Sequence, residues 1–165
     1  MNEDPAAAVV VEPAPRLERE DALRLMNTSP WTELEYGPAE IEAVAAGSAS
    51  ANVLLARDAG RVVGFTISAP GFLLGEYLRV IAVDPAWRRA GVGRLLLAEL
   101  ERRAFERVPN VYLCVSDFNA TARAFYAASG YEEIGLLRDL LLPDKGEVLL
   151  RKSIAAWRRF SRPGD

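Results

Sequence analysis

The chain has 165 residues, half of them hydrophobic, with Lys+Arg 20 against Asp+Glu 23 and a net charge of −3; that is the size and composition of one globular domain, and an acidic balance gives no nucleic-acid footprint. It contains no histidine and a single cysteine, Cys114, which excludes Ser–His–Asp and Cys–His catalysis, histidine or thiolate metal sites and an internal disulfide. No apolar run approaches membrane-spanning length, and residues 1–15 lack the charged start and apolar core of a signal peptide, so a cytoplasmic protein without metal, nucleic-acid or membrane partners is expected.

Residues 1–15 read as a flexible Ala/Pro/Val-rich extension in which Val9, Val10 and Val11 suit an edge strand. Arg16 to Met26 has helical spacing, with Leu17, Leu23, Leu25 and Met26 as candidate buried positions. The run Asn27-Thr28-Ser29-Pro30-Trp31-Thr32 is a break. A second helix is expected from Ala39 to Ala46, ending at Gly47. Strands over Asn52–Arg57 and Val62–Ala69 flank Asp58-Ala59-Gly60 as a hairpin, and after Pro70-Gly71 a third strand covers Tyr77–Val83. Gly93, Leu96, Leu97, Leu100 and Ala104 then form one apolar helical stripe. Val111–Val115 is a strand, a helix follows Asn119, and Tyr131–Leu137 and Glu147–Lys152 close the chain as a strand pair joined by Pro143-Asp144-Lys145-Gly146. The expected order is β-αα-βββ-α-β-α-ββ, in one domain over 16–154 with a peripheral tail over 155–165.

The most informative segment runs Ile81-Ala82-Val83-Asp84-Pro85-Ala86-Trp87-Arg88-Arg89-Ala90-Gly91-Val92-Gly93-Arg94. An apolar strand meets an Asp-Pro break, then Arg-x-x-Gly-x-Gly opens an amphipathic helix. Bare N–H groups at a positive helix terminus suit an anion, glycine allows close backbone approach, and Arg88, Arg89 and Arg94 add charge that suits phosphate. The segment reads as a pyrophosphate cradle. A P-loop would need Gly-Lys-Ser/Thr, yet Gly93 is followed by Arg94 and Leu95. A dinucleotide fingerprint would need a small residue where Leu96 stands.

A second segment, Ser116-Asp117-Phe118-Asn119-Ala120-Thr121-Ala122-Arg123-Ala124-Phe125-Tyr126-Ala127-Ala128-Ser129-Gly130-Tyr131, follows another apolar strand. Asn119 suits a helix cap and Gly130 a helix end, and Asn119, Ala122 and Tyr126 fall on one helical face. The cradle resembles the acetyl-CoA signature Arg/Gln-x-x-Gly-x-Gly/Ala of the GNAT acetyltransferases. The second segment resembles their pattern Asn-x-x-Ala-x-x-Phe/Leu-Tyr-x-x-x-Gly-Phe/Tyr. The two ordered matches cover roughly the second half of the chain.

That resemblance implies an α/β (α+β) GNAT fold, with a mixed, strongly twisted six- to seven-stranded sheet flanked by about four helices. It implies an acetyl-CoA-dependent N-acetyltransferase, with acetyl-CoA as co-substrate and no metal. Backbone groups of Ile81, Ala82 and Val83 would hold pantetheine, and N–H groups of the run Arg89, Ala90, Gly91, Val92, Gly93 and Arg94 would hold pyrophosphate, with Arg88 beside them. Asn119 and Ala122 would meet the cofactor, and Tyr126 would protonate the departing sulfur. The ribosomal-protein alanine acetyltransferase branch carries a glutamate where this chain has Cys114, and a buried neutral thiol is a poor base. Glu76 is then the preferred carboxylate for base and acceptor binding, with water as an option for an α-amine. Ser29-Pro30-Trp31-Thr32, with Leu136-Leu137-Arg138-Asp139 and Glu147, looks like a group of bacterial GNAT proteins without a settled substrate. There Trp31 would either cover an apolar acceptor or anchor its loop to the core. A small amine or amino-acid-like acceptor is expected; a protein N-terminus, a non-catalytic CoA-binding module and a homodimer stay open.

Overall fold

The computed structural model describes residues 8–162 and 164; part of the extension expected over 1–15 and two residues of the tail lie outside the described residues. Seven strands and four α-helices follow the expected order: β1 (Val10–Ala14), α1 (Arg19–Met26), α2 (Pro38–Gly47), β2 (Asn52–Asp58), β3 (Arg61–Phe72), β4 (Gly75–Val83), α3 (Val92–Phe105), β5 (Asn110–Ser116), α4 (Ala120–Ala128), β6 (Glu132–Arg138) and β7 (Gly146–Ser153). The strands form a mixed sheet in the order β1-β2-β3-β4-β5-β7-β6. By packing, the chain divides into two compact units: Met1–Ala69 with Val80–Arg102, and Pro70–Arg79 with Arg103–Asp165.

In the first unit, β1 runs antiparallel to β2, from Val10↔Arg57 to Ala14↔Val53. The expected edge strand therefore exists, displaced towards Ala14. The apolar side chains of α1 and α2 close on one sheet face, joining Leu17, Leu25, Met26, Ile41, Val53, Leu55, Phe65, Ile67, Val80 and Ala82 in one core cluster. Leu23, also expected inside, packs partly buried against it. Helix α1 starts at Arg19 instead of Arg16 because the preceding turn has a tertiary tie. The Leu17 N–H donates to Ser48 Oγ at 2.8 Å, and that hydroxyl donates to the Ala45 carbonyl at 2.6 Å. On α3, Leu96, Leu97, Leu100 and Ala104 of the expected stripe are buried, Gly93 is partly buried, and Val92 joins them.

The second unit is organised by β5, which pairs in parallel with β4 from Gly75↔Asn110 to Leu78↔Leu113 and antiparallel with β7 from Asn110↔Ser153 to Ser116↔Glu147. One expectation moves here. Pro70-Gly71 does not end the strand; β3 continues to Phe72, and the chain reverses at Leu73 and Leu74, with φ of 43° and 60°. Two side chains of β5 hold this tight turn. Tyr112 donates its hydroxyl to the Leu73 carbonyl at 3.2 Å, and Asn110 Nδ2 donates to the Leu74 carbonyl at 3.3 Å. Strand β4 accordingly begins at Gly75, ahead of the expected Tyr77.

Candidate active site

The cradle is anchored before it is shaped. Asp84 Oδ1 accepts the Ala86 N–H at 3.0 Å, capping the short turn Pro85–Trp87, while Oδ2 accepts from Arg24 Nη1 at 3.2 Å and Arg61 Nη2 at 3.0 Å. Arg88, expected beside phosphate, also makes ties within the protein. Its Nε donates to the Val83 carbonyl at 3.3 Å and its Nη2 to the Ser29 carbonyl at 3.2 Å. It therefore ties the cradle to the Ser29-Pro30 loop. Arg89 and Gly91 take left-handed backbone angles, with φ of 66° and 86°. For glycine this conformation is easy; for arginine it is sparsely populated and has to be held by its surroundings.

The first intrahelical bond of this end of α3 runs from Leu95 N–H to the Gly91 carbonyl at 3.0 Å, so the N–H groups of Val92, Gly93 and Arg94 lie in the open first turn. Arg89, Gly91 and Arg94 are exposed. Left-handed residues leading into an open helix terminus aim backbone N–H groups at a common anion, so the cradle fits a pyrophosphate on its own geometry. Trp31 stacks edge-on against Tyr36 at 5.5 Å between ring centroids and packs against the core cluster.

In the second unit Asn119 caps α4, its Oδ1 accepting the Ala122 N–H at 3.1 Å, and Gly130 ends the helix region at φ 87°. Because the cap uses the side-chain oxygen, the amide Nδ2 is the group that Asn119 can offer a ligand. Tyr126 is buried between Phe125 and Tyr131, edge-on to both. Burial pushes its phenol well above the ordinary range, which keeps the proton on oxygen and suits a donor.

Glu76, expected just ahead of a strand beginning at Tyr77, lies within β4, 1% exposed and paired with Arg107 Nη2 at 3.4 Å. Alternation along a strand sends consecutive side chains to opposite faces, so Glu76 and Tyr77 face opposite ways. The face carrying Tyr77 holds a polar group that chain order conceals. The pairing Tyr77↔Tyr112 puts Tyr112, Cys114 and Ser116 on the same face, and Ser116↔Glu147 adds Glu147. Ser116 donates to Glu147 Oε1 at 2.6 Å, and Tyr77 shares a side-chain hydrogen bond with Cys114. Burial pushes the Glu147 carboxyl up, Ser116 partly opposes this, and Asp117 pushes it further up. Burial also raises the Cys114 thiol, against the Tyr77 hydrogen bond, as expected for a poor base. The alternation Tyr112-x-Cys114-x-Ser116 was a visible signal for this face; its meeting with Tyr77 and Glu147 was not.

Known proteins frame these features. Residues 17–131 match the model of the Acetyltransferase (GNAT) family. N-alpha-acetyltransferase RimI of Mycobacterium tuberculosis is 42% identical over 89 residues, 50% of this chain and 53% of that protein. The chain spans 17% and 53% of the lengths of two curated relatives it matches. Among solved structures, the ribosomal-protein-S18-alanine N-acetyltransferase of Escherichia coli superposes with a TM-score of 0.67 at 23% identity, covering 89% of this chain and 97% of that one. An aminoglycoside 6'-N-acetyltransferase complexed with coenzyme A gives 0.71 at 21% identity, covering 89% and 98%. At such identities the structures speak for the fold alone, which is theirs. With a family model spanning most of its length, both signature segments included, the chain belongs to the GNAT acetyltransferase family.

Proposed function

We propose that this protein is an N-acetyltransferase that moves acetyl from acetyl-CoA to a primary amine by direct attack. The cradle carries this reading, because Arg89, Gly91 and the open first turn of α3 offer backbone donors suited to pyrophosphate. Arg89, Ala90, Gly91, Val92, Gly93 and Arg94 hold the pyrophosphate, while Arg88 positions their loop through Val83 and Ser29. Backbone groups of Ile81, Ala82 and Val83 orient the pantetheine arm, and Asn119 and Ala122 contact it. The thioester supplies the acetyl group. Nitrogen attacks its carbonyl, the C–N bond forms, the C–S bond breaks, and Tyr126 gives its proton to the departing sulfur.

Two acceptor classes divide the support. Cys114 in place of a strand glutamate favours a small amine or amino-acid-like molecule over the ribosomal-protein mechanism. The relative RimI, an N-alpha-acetyltransferase, favours a protein N-terminus about equally.

The test is thiol release from acetyl-CoA with a pool of small amines and, separately, a pool of peptides with varied N-termini. Release with one pool identifies both the activity and the acceptor class. Acetyl-CoA binding without release in either pool refutes transfer to these acceptors and favours a binding module. Tyr126→Phe is expected to lower kcat about 10²-fold or more while leaving acetyl-CoA affinity within about twofold. An unchanged kcat removes Tyr126 from the mechanism.

A further inference from the structure

We infer that Glu147, not Glu76, is the carboxylate that binds the acceptor's ammonium group and takes its proton. This rests on the acetyltransferase reading and deepens it by naming the base and the charge state of the acceptor.

The two buried carboxylates differ in what surrounds them. Glu76 has a cation in Arg107 and shares the face of Leu78, Val80 and Ala82, all buried hydrophobics. Its charge already has a protein partner. Glu147 is also withdrawn, 4% exposed, and although Arg79 of β4 and Arg151 of β7 share its face, neither is ion-paired with it among the described residues. Ser116 donates to Oε1, Cys114 and Tyr77 lie on the same face, Asp117 is a like charge, and β6 presents the apolar Leu137 opposite it. Ser116 occupies Oε1, and Oε2, which is not a sealed atom, stays open to a further donor. A carboxylate oxygen pair accepts about four hydrogen bonds, and a buried carboxylate without a cation is costly. An incoming ammonium supplies the missing charge and the missing donors together. The backbone holds the carboxylate ready: Asp117 Oδ2 accepts the Gly146 N–H at 3.1 Å and the Asp117 N–H donates to the Gly146 carbonyl at 2.9 Å, fixing the residue just before Glu147.

The proton count closes. The acceptor enters as an ammonium and gives one proton to Glu147, which passes it to water. The neutral nitrogen attacks, the C–N bond forms and the C–S bond breaks. Sulfur takes the Tyr126 proton, the acylated nitrogen loses its second proton to water, and the Tyr126 oxygen is reprotonated from water. The inferred acceptor class is an amine that is cationic at neutral pH.

The experiment compares the wild type with Glu147→Gln, Ser116→Ala and Glu76→Gln, using the amine or peptide that the wild type acetylates best. Glu147→Gln keeps an oxygen for Ser116, so folding persists. It is expected to lower kcat/KM about 10²–10⁴-fold with acetyl-CoA Kd within about twofold. Ser116→Ala removes the hydrogen bond that lowers the Glu147 pKa, so the acid limb of its kcat/KM profile moves to higher pH. A Glu147 that is only structural would leave that limb in place. Equal activity of Glu147→Gln and wild type, or a loss confined to Glu76→Gln, overturns the assignment while the enzyme reading stands. A wild type silent in both pools overturns both.

Discussion

Asp84 tests whether the cradle is held in shape from below. Its carboxylate is 12% exposed and makes three contacts: the Ala86 N–H, Arg24, and Arg61, whose side chains are 33% and 63% exposed for the two arginines. Loss of a capping acceptor costs about 1 kcal/mol. The half-buried pairing with Arg24 adds about 1.5 kcal/mol, and the exposed Arg61 contact adds at most about 0.5 kcal/mol after solvent screening. Asp84→Ala is therefore expected to destabilise the protein by about 3 kcal/mol, read as a shift of the urea midpoint at constant m-value. Asp84→Asn, which keeps Oδ1 for the cap, is expected to lose about two-thirds of that. Coenzyme A affinity, measured by calorimetry, should fall at least about tenfold in Asp84→Ala, because the turn Pro85–Trp87 leads directly into Arg88 and Arg89. A loss below about 1 kcal/mol refutes the energetic reasoning. A normal loss of stability with unchanged coenzyme A affinity would show that Asp84 stabilises the unit without shaping the cradle.

Two further outcomes follow from contacts in the second unit. A Cβ at Gly75 would lie 2.6 Å from the Asn110 carbonyl oxygen and 2.8 Å from Tyr112 Cε2, so Gly75→Ala must part β4 from β5 and should cost about 2–3 kcal/mol in denaturant unfolding; a change below about 0.5 kcal/mol would mean the strands yield freely. Burial holds the Glu147 carboxyl above its ordinary 4.5, against Ser116 and with Asp117. The native state thus binds this proton more tightly than the unfolded chain, and the wild type loses stability as pH rises from 4.5 through the raised native value. Glu147→Gln carries no such penalty, so its stability relative to wild type should be greatest near about pH 8 and narrow towards about pH 4; a margin independent of pH would refute the shift.

The cradle and the Asn119 helix were legible in the sequence because their geometry is local. Gly91 marks a left-handed position and Asn119 reaches the Ala122 N–H within one turn, so residue type and spacing are enough. The β3–β4 reversal was not legible. Pro70-Gly71 carries the usual turn chemistry, whereas the turn falls on Leu73-Leu74, a pair that glycine or asparagine would normally replace. What holds it there is Asn110 and Tyr112, distant in sequence and invisible to a local rule. Arg88 is a similar case: the motif offers it to phosphate, while its Nε and Nη2 bonds to the Val83 and Ser29 carbonyls could not be foreseen from spacing.

The choice between Glu76 and Glu147 shows what kind of information was missing. Along the chain Glu76 ranks first, since it stands at the head of the strand that enters the cradle, but β4 begins two residues before the expected Tyr77. Inside a strand a residue belongs to one face, and Glu76 faces away from Tyr77. Cys114, at the position of the branch glutamate, lies on the Tyr77 face, and so does Glu147, brought there by the β5–β7 register. That face carries an acid all the same: Glu147 stands one strand over from Cys114, with Ser116 of β5 its hydrogen-bond donor. On the proposed reading the Glu147 carboxylate is held for the acceptor at a cost to stability, since a buried charge without a paired partner is unfavourable.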